Sequence, residues 1–329
     1  MMVRYSSELV EALTSSTMKI HLLLSIVIFI FGFIGNGLNI LILAKRTLRS
    51  IPCIYFFLMS SIANLISILF GLIPRIISTW QLDFTATHDI PCKIRAFVLF
   101  TTRTVALWLI TLATIDRWLI SSNLSFCRQL STLKRARIGS LVITIISCLM
   151  YTQMFFCYKA NLTNTPLKCY GRTRLCRSLT DITYAGFTVL LPLTLMILFG
   201  LLTISNIRKS QHFAESHRVV SVRYLTNEPT LLFKQRKRRQ KKLDRYLRRI
   251  LFVQIILFIF LTLPQTIHKI YFTSSSFQHK SPTGYKFDAL LYRFELLLPF
   301  IESALPFYIC TLTGGRIFRN ALRRLFTCQ

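Results

Sequence analysis

Acidic residues are scarce: twelve aspartates and glutamates stand against forty-one lysines and arginines in 329 residues. Charged residues of both signs make up only 16% of the chain, against roughly a quarter in soluble domains. That shortage excludes an ordinary water-facing surface. No HExxH or CxxC motif occurs, and the six histidines are scattered over different stretches. No metal site, cofactor or nucleophile–base pair is therefore expected, and an enzyme is disfavoured. Internal repeats and the inverted halves of a transporter are also missing. The one low-complexity piece is KQRKRRQKK at 234–242. A net charge of +29 could suit a soluble nucleic-acid binder, but such a protein would not be 53% apolar. Nucleic acid is excluded as a partner on that ground.

What is present is long apolar sequence. A bilayer core of about 30 Å takes about 20 residues of helix. Seven stretches qualify: 20–44, 51–77, 92–121, 138–158, 183–207, 250–272 and 288–312. Open-ended elements satisfy their backbone in lipid only as helices, so an all-α membrane protein with a seven-helix bundle follows. The first stretch is too long for a cleaved signal peptide and reads as a retained span. Lysine and arginine concentrate on the C-terminal side, with fourteen of them in the loop 208–249 alone. Positive loops stay in the cytoplasm, which puts the N-terminus, residues 1–19, outside. The same loop would touch an anionic inner leaflet. Asn161-Leu162-Thr163 is a glycosylation sequon on the outside, whereas Asn123-Leu124-Ser125 falls inside and should stay bare.

The third span runs from Cys92 to Asp116-Arg117-Trp118. Twenty-four residues of helix cover about 36 Å, joining one membrane surface to the other. The second outside loop carries Cys169 and Cys176. A disulfide from Cys92 to either would tie that loop over the bundle mouth in an oxidising compartment.

Together these features resemble a rhodopsin-like (class A) G protein-coupled receptor across all seven spans. The residues that carry the resemblance are Gly35-Asn36, Cys92, the triplet Asp116-Arg117-Trp118, Pro192, Phe258 with Pro264, and Pro306 in Leu305-Pro306-Phe307-Tyr308-Ile309. GRIFRNALRRLF at 315–326 looks like the amphipathic eighth helix of that family, which ends the chain with a tail at 313–329, and Cys328 beside it is a lipidation candidate. The stretch PLTLMILFGLLTISNIR at 192–208 resembles invertebrate receptors of the FMRFamide neuropeptide type. The resemblance implies a plasma-membrane receptor that passes the binding of an outside ligand, a small peptide, to a heterotrimeric G protein by outward movement of span six. The competing readings are a transporter or channel, or a non-signalling scaffold.

Several roles follow from the resemblance. Arg117 is expected to bridge to Asp244, which lies twenty residues before Pro264 and so reaches the inner surface. Pro192, Pro264 and Pro306 serve as helix switches with Phe258, because proline leaves a carbonyl unpaired and bends a helix. Asn36, Asn64 and Glu302 form a polar core, in which Glu302 either supplies an acid near Asn64 or is a neutral buried glutamate. From the charges alone, Arg103, Gln265, His268 and Glu295 are the expected pocket residues, with Arg103 paired to Glu295 across the bundle as a ligand anchor or a structural bridge, and Lys269 lines the same mouth. Intramembrane charges face the bundle interior and pair. Trp80 packs beneath the second loop. The departures are Asn64 and Leu305, where the family carries Asp and Asn, Ile309 for its tyrosine, and Thr262 for its sixth-span tryptophan. They put sodium regulation and the relay of activation in doubt.

Overall fold

The structure is a computed structural model. It describes residues 2–78, 83–163, 165, 167–218, 231–274, 291–292 and 294–313. Trp80, Cys328 and the amphipathic segment 315–326 lie outside the described residues.

Among the described residues, six helices are long and apolar enough to cross a membrane: Thr17–Leu43, Pro52–Ile77, Asp89–Ser121, Leu133–Cys157, Arg174–Lys209 and Lys242–Tyr271. Large apolar side chains such as Leu149 (70% exposed) and Phe260 (71%) point away from the bundle. Water would penalise such faces by about 25 cal/mol per Å² of apolar surface, and lipid does not. Inward faces close on a continuous core that includes Ile54, Leu109, Met196, Leu247, Ile250 and Phe258.

Span seven differs from the others. Among the described residues it is broken: helical positions at 291–292 and 294–295 are followed by two short helices, Leu298–Ala304 and Pro306–Thr313. Pro306 begins the second helix because it has no N–H to extend the first, and Pro299 sits in the first turn of the other. Span five also deviates. Tyr184–Leu190 is a π-helix that runs directly into Leu191–Arg218. Pro192 leaves the Thr188 carbonyl without its usual i+4 donor, and the widened turn lies immediately upstream. Span six is unbroken, with Pro264 contained within one helix, Leu231–Ser274.

Close approaches are made at glycine. A Cβ on Gly71 would run into the Phe300 ring, and one on Gly35 would lie 3.1 Å from Tyr308. Spans one, two and seven are thereby drawn together, and Asn36 reinforces the contact by donating to the carbonyls of Gly32 (2.9 Å) and Ser303 (3.0 Å).

The end of the bundle expected from the sequence to face outside carries the one small sheet among the described residues, Tyr158–Lys159 paired antiparallel to Tyr170–Gly171. This hairpin was not legible as strand in the sequence, being only two residues long on each side.

Candidate functional site

A cavity of about 1010 Å³ opens under the second outside loop, between the outer ends of spans one, two, three, five, six and seven. Its roof is held covalently. Cys92 joins Cys169, and Cys157 joins Cys176. Of the two partners open to Cys92 in the sequence, the structure selects Cys169. Cys157, at the outer end of span four, takes the other, a second bridge that the sequence reading missed. The signal was there: Cys157 makes an even number of cysteines at the outer surface. Asp89 accepts from the Ala160 N–H at 2.8 Å, and the Asn161 amide donates to the Thr87 carbonyl at 2.8 Å, so the second loop also rests on the first. Asn161 is exposed, with φ 55°. Burial pushes the phenol of Tyr170, beneath that roof, above its usual range.

Deeper in the bundle, Arg103 is buried at 5% exposure. Its partner is Glu302, at 3.4 Å, rather than Glu295. Glu295 lies two turns further out along span seven and meets His268 instead, at 2.5 Å. Depth decides the pairing: a guanidinium fourteen residues outward of Arg117 cannot reach both carboxylates. Glu302 consequently turns to Arg103 and not to Asn64, which is buried on span two. Arg103 further donates to the Pro299 carbonyl (2.7 Å), Ser303 Oγ (3.3 Å) and the Tyr184 hydroxyl (3.1 Å). Tyr184 in turn donates to Gln265 Oε1 at 3.4 Å. The π-turn of span five thus faces a hydroxyl into the site. Thr188 of the same turn shares hydrogen bonds with Thr104 (2.6 Å) and Tyr151 (2.5 Å), while Trp108 donates to the Phe187 carbonyl at 3.0 Å.

Lys269, placed at the mouth from the sequence with no partner named, and Arg95 add charge to the site. Lys269 Nζ meets Asp181 of span five at 2.8 Å and lies 4.9 Å from the ring centres of Phe100 and Tyr184. Arg95 bonds Thr85 Oγ1 (2.8 Å) and the Phe70 and Gly71 carbonyls, and stands 3.8 Å from Asp83. Both pairings join separate stretches of chain, so no local spacing reveals them.

At the inner end a second arrangement appears. Arg117, 4% exposed, bonds Asp116 at 2.6 Å and Asp244 at 2.7 Å. Ser131 donates to the other Asp116 oxygen. Asp116 is thereby held by its own span and by the second inside loop, whereas Asp244 arrives from span six and keeps 34% of its side chain exposed. Trp118 leans outward and packs on Phe199 of span five, with ring centres 5.0 Å apart. Phe258 is 2% exposed in the core between these two regions. Tyr308 departs from the bundle interior: its hydroxyl donates to the Phe31 carbonyl of span one at 3.1 Å, and the inward position falls to the buried Ile309.

An outside cavity, a buried polar midsection and an inner ion-paired end occupy one bundle. No curated protein gives a significant match to the chain. The model of the 7 transmembrane receptor (rhodopsin family) matches residues 35–307, from the Gly35 that meets Tyr308 to the Phe307 just after the span-seven break. With most of its length matched, the chain belongs to the rhodopsin family of seven-transmembrane receptors.

Proposed function

We propose that this receptor sits in the plasma membrane with its N-terminus outside and couples a small extracellular peptide to a heterotrimeric G protein. One observation carries the reading. The cavity lies against the outer parts of spans three and six, and Arg117 bridges to Asp244 at 2.7 Å where the same two spans reach the other side. A ligand bound unequally by two packings of spans three and six would shift that bridge, and only differential affinity can do so. Outward movement of span six about Pro264 releases Arg117 and opens a cleft for the G protein. The basic residues between 208 and 249 suit an anionic leaflet. Asn161 carries the glycan.

The energetic scale suits a switch. Asp244 is about one-third exposed, so its bridge is worth far less than a fully buried pair, on the order of 1 kcal/mol. That is enough to change a two-state ratio several-fold without freezing it.

The test uses cells expressing the full chain at the surface, challenged with a peptide library. Peptide-dependent G protein activation without ion flux is expected. Peptide-dependent ion flux without nucleotide exchange would replace the receptor reading with a channel or transporter.

A further inference from the structure

Lys269 is the cation the ion pairs do not exhaust. It is 4% exposed and lines the cavity. An ammonium has three N–H donors. One reaches Asp181 at 2.8 Å, and no other hydrogen bond of Nζ forms among the described residues. Phe100 and Tyr184 flank it, and ring faces attract a cation without accepting a directed hydrogen bond as a carboxylate does. One turn inward, Gln265 is equally buried, at 4%. Its Oε1 accepts from Tyr184, so its amide nitrogen carries the donors left for the cavity. Lys269 and Gln265 are four residues apart and share one face of span six.

The surrounding charge has the same sign. Arg75, Arg95, Arg103, Lys168 and Lys269 line the cavity against one lining acid, Asp83. Asp181 and Glu302, paired to Lys269 and Arg103, make three acids against five cations.

Resting on the receptor reading above, we propose that the ligand carries a carboxylate, docked on Lys269 beside the Gln265 amide. A planar, singly charged, two-oxygen group fits donors placed side by side. A phosphate or sulfate dianion would meet stronger repulsion from Asp181, which already holds the same Nζ. An amine would enter a cavity with more cations than acids. A peptide amide offers one neutral acceptor, and hydrogen bonds to an ionised acceptor are roughly twice as strong. The source is a free peptide C-terminus or a small carboxylic acid, and the apolar and aromatic walls at Leu99, Phe100, Leu296 and Phe300 take the adjoining hydrophobic part. Because Lys269 and Asp181 belong to spans six and five, a bound carboxylate competes with Asp181 and alters the contact between those spans.

The test is binding to the purified full chain in lipid nanodiscs, read as a shift in its thermal midpoint, so that loss of G protein coupling cannot imitate failure. The probes are short peptide pools supplied in two forms, C-terminal acid and C-terminal amide, and aromatic and aliphatic carboxylic acids with their amides. Acid members should stabilise the chain and bind roughly ten- to hundredfold more tightly than their amides. Peptide acids responding alone would assign a peptide terminus, and small acids responding alone a small acid. Lys269→Gln should abolish the preference. If that variant fails to fold, Gln265→Leu, which keeps the ammonium, should weaken acid binding about tenfold. Amides or amines binding as well as acids would overturn the proposal. So would acid binding untouched by Gln265→Leu and Lys269→Gln, or stabilisation by no acid at all.

Discussion

Arg103 of span three and Glu302 of span seven meet at 3.4 Å inside the bundle, with 6% and 17% of their side chains exposed. Two charges taken out of solvent are stable only while each has its partner. This pair, with Ser303 and Pro299 on the same guanidinium, fastens the broken seventh span to the third.

Removing one member should therefore cost more than removing both. Glu302→Gln leaves Arg103 uncompensated and is expected to lose about 3 kcal/mol of stability. The double variant Arg103→Met with Glu302→Leu should recover most of that loss. Thermal midpoints of the purified chain, measured side by side, check the order.

The second bridge makes a different forecast. Cys157 and Cys176 close a short loop, which chain-entropy arguments value at about 3 kcal/mol. Cys157→Ser, Cys176→Ser and the double variant should be equally destabilised, because one bond is lost in each. Surface delivery and heat resistance supply the readout. An additive double variant would mean that the two thiols act separately.

Gly71 has no room for a methyl group beside Phe300. Gly71→Ala is expected to cost about 1–3 kcal/mol by overpacking. Adding Phe300→Leu should return part of it, and the recovery is visible in the same thermal assay.

Orientation has its own test at the sequons. Asn161→Gln should remove an endoglycosidase-sensitive increase in mass, whereas Asn123→Gln should change nothing, since the proposed orientation puts Asn123 on the cytoplasmic side. Glycan on Asn123 would invert the topology.

Much of the architecture was legible in the sequence because a membrane leaves few choices. Apolar length marked the spans, and helices are the only open-ended way to cross. The break of span seven was marked by Pro306, and the irregular turn of span five by Pro192 beside it. The site was less legible, for a physical reason. Which carboxylate Arg103 takes is set by relative depth and rotation of spans three and seven, and a seven-residue repeat of acids leaves several registers open. Glu302 and Glu295 share a face, yet one meets Arg103 and the other His268. Lys269 could be placed at the mouth by its distance from Pro264, but not beside Asp181, which lies far away in the chain. Cys157 was hidden by the span it ends: beside Phe155 and Phe156 it reads as membrane interior, although its sulfur belongs to the outer surface.

The central claim is that Arg117 and Asp244 hold spans three and six together at the inner surface in the resting receptor. The most direct measurement is nucleotide exchange on a purified heterotrimeric G protein by the purified chain, without ligand, for wild type, Asp244→Glu and Asp244→Ala. Loss of about 1 kcal/mol of bridging should raise basal exchange roughly fivefold in Asp244→Ala, with Asp244→Glu close to wild type. Equal basal exchange in all three, from chains that are folded and stimulated by ligand, would contradict it.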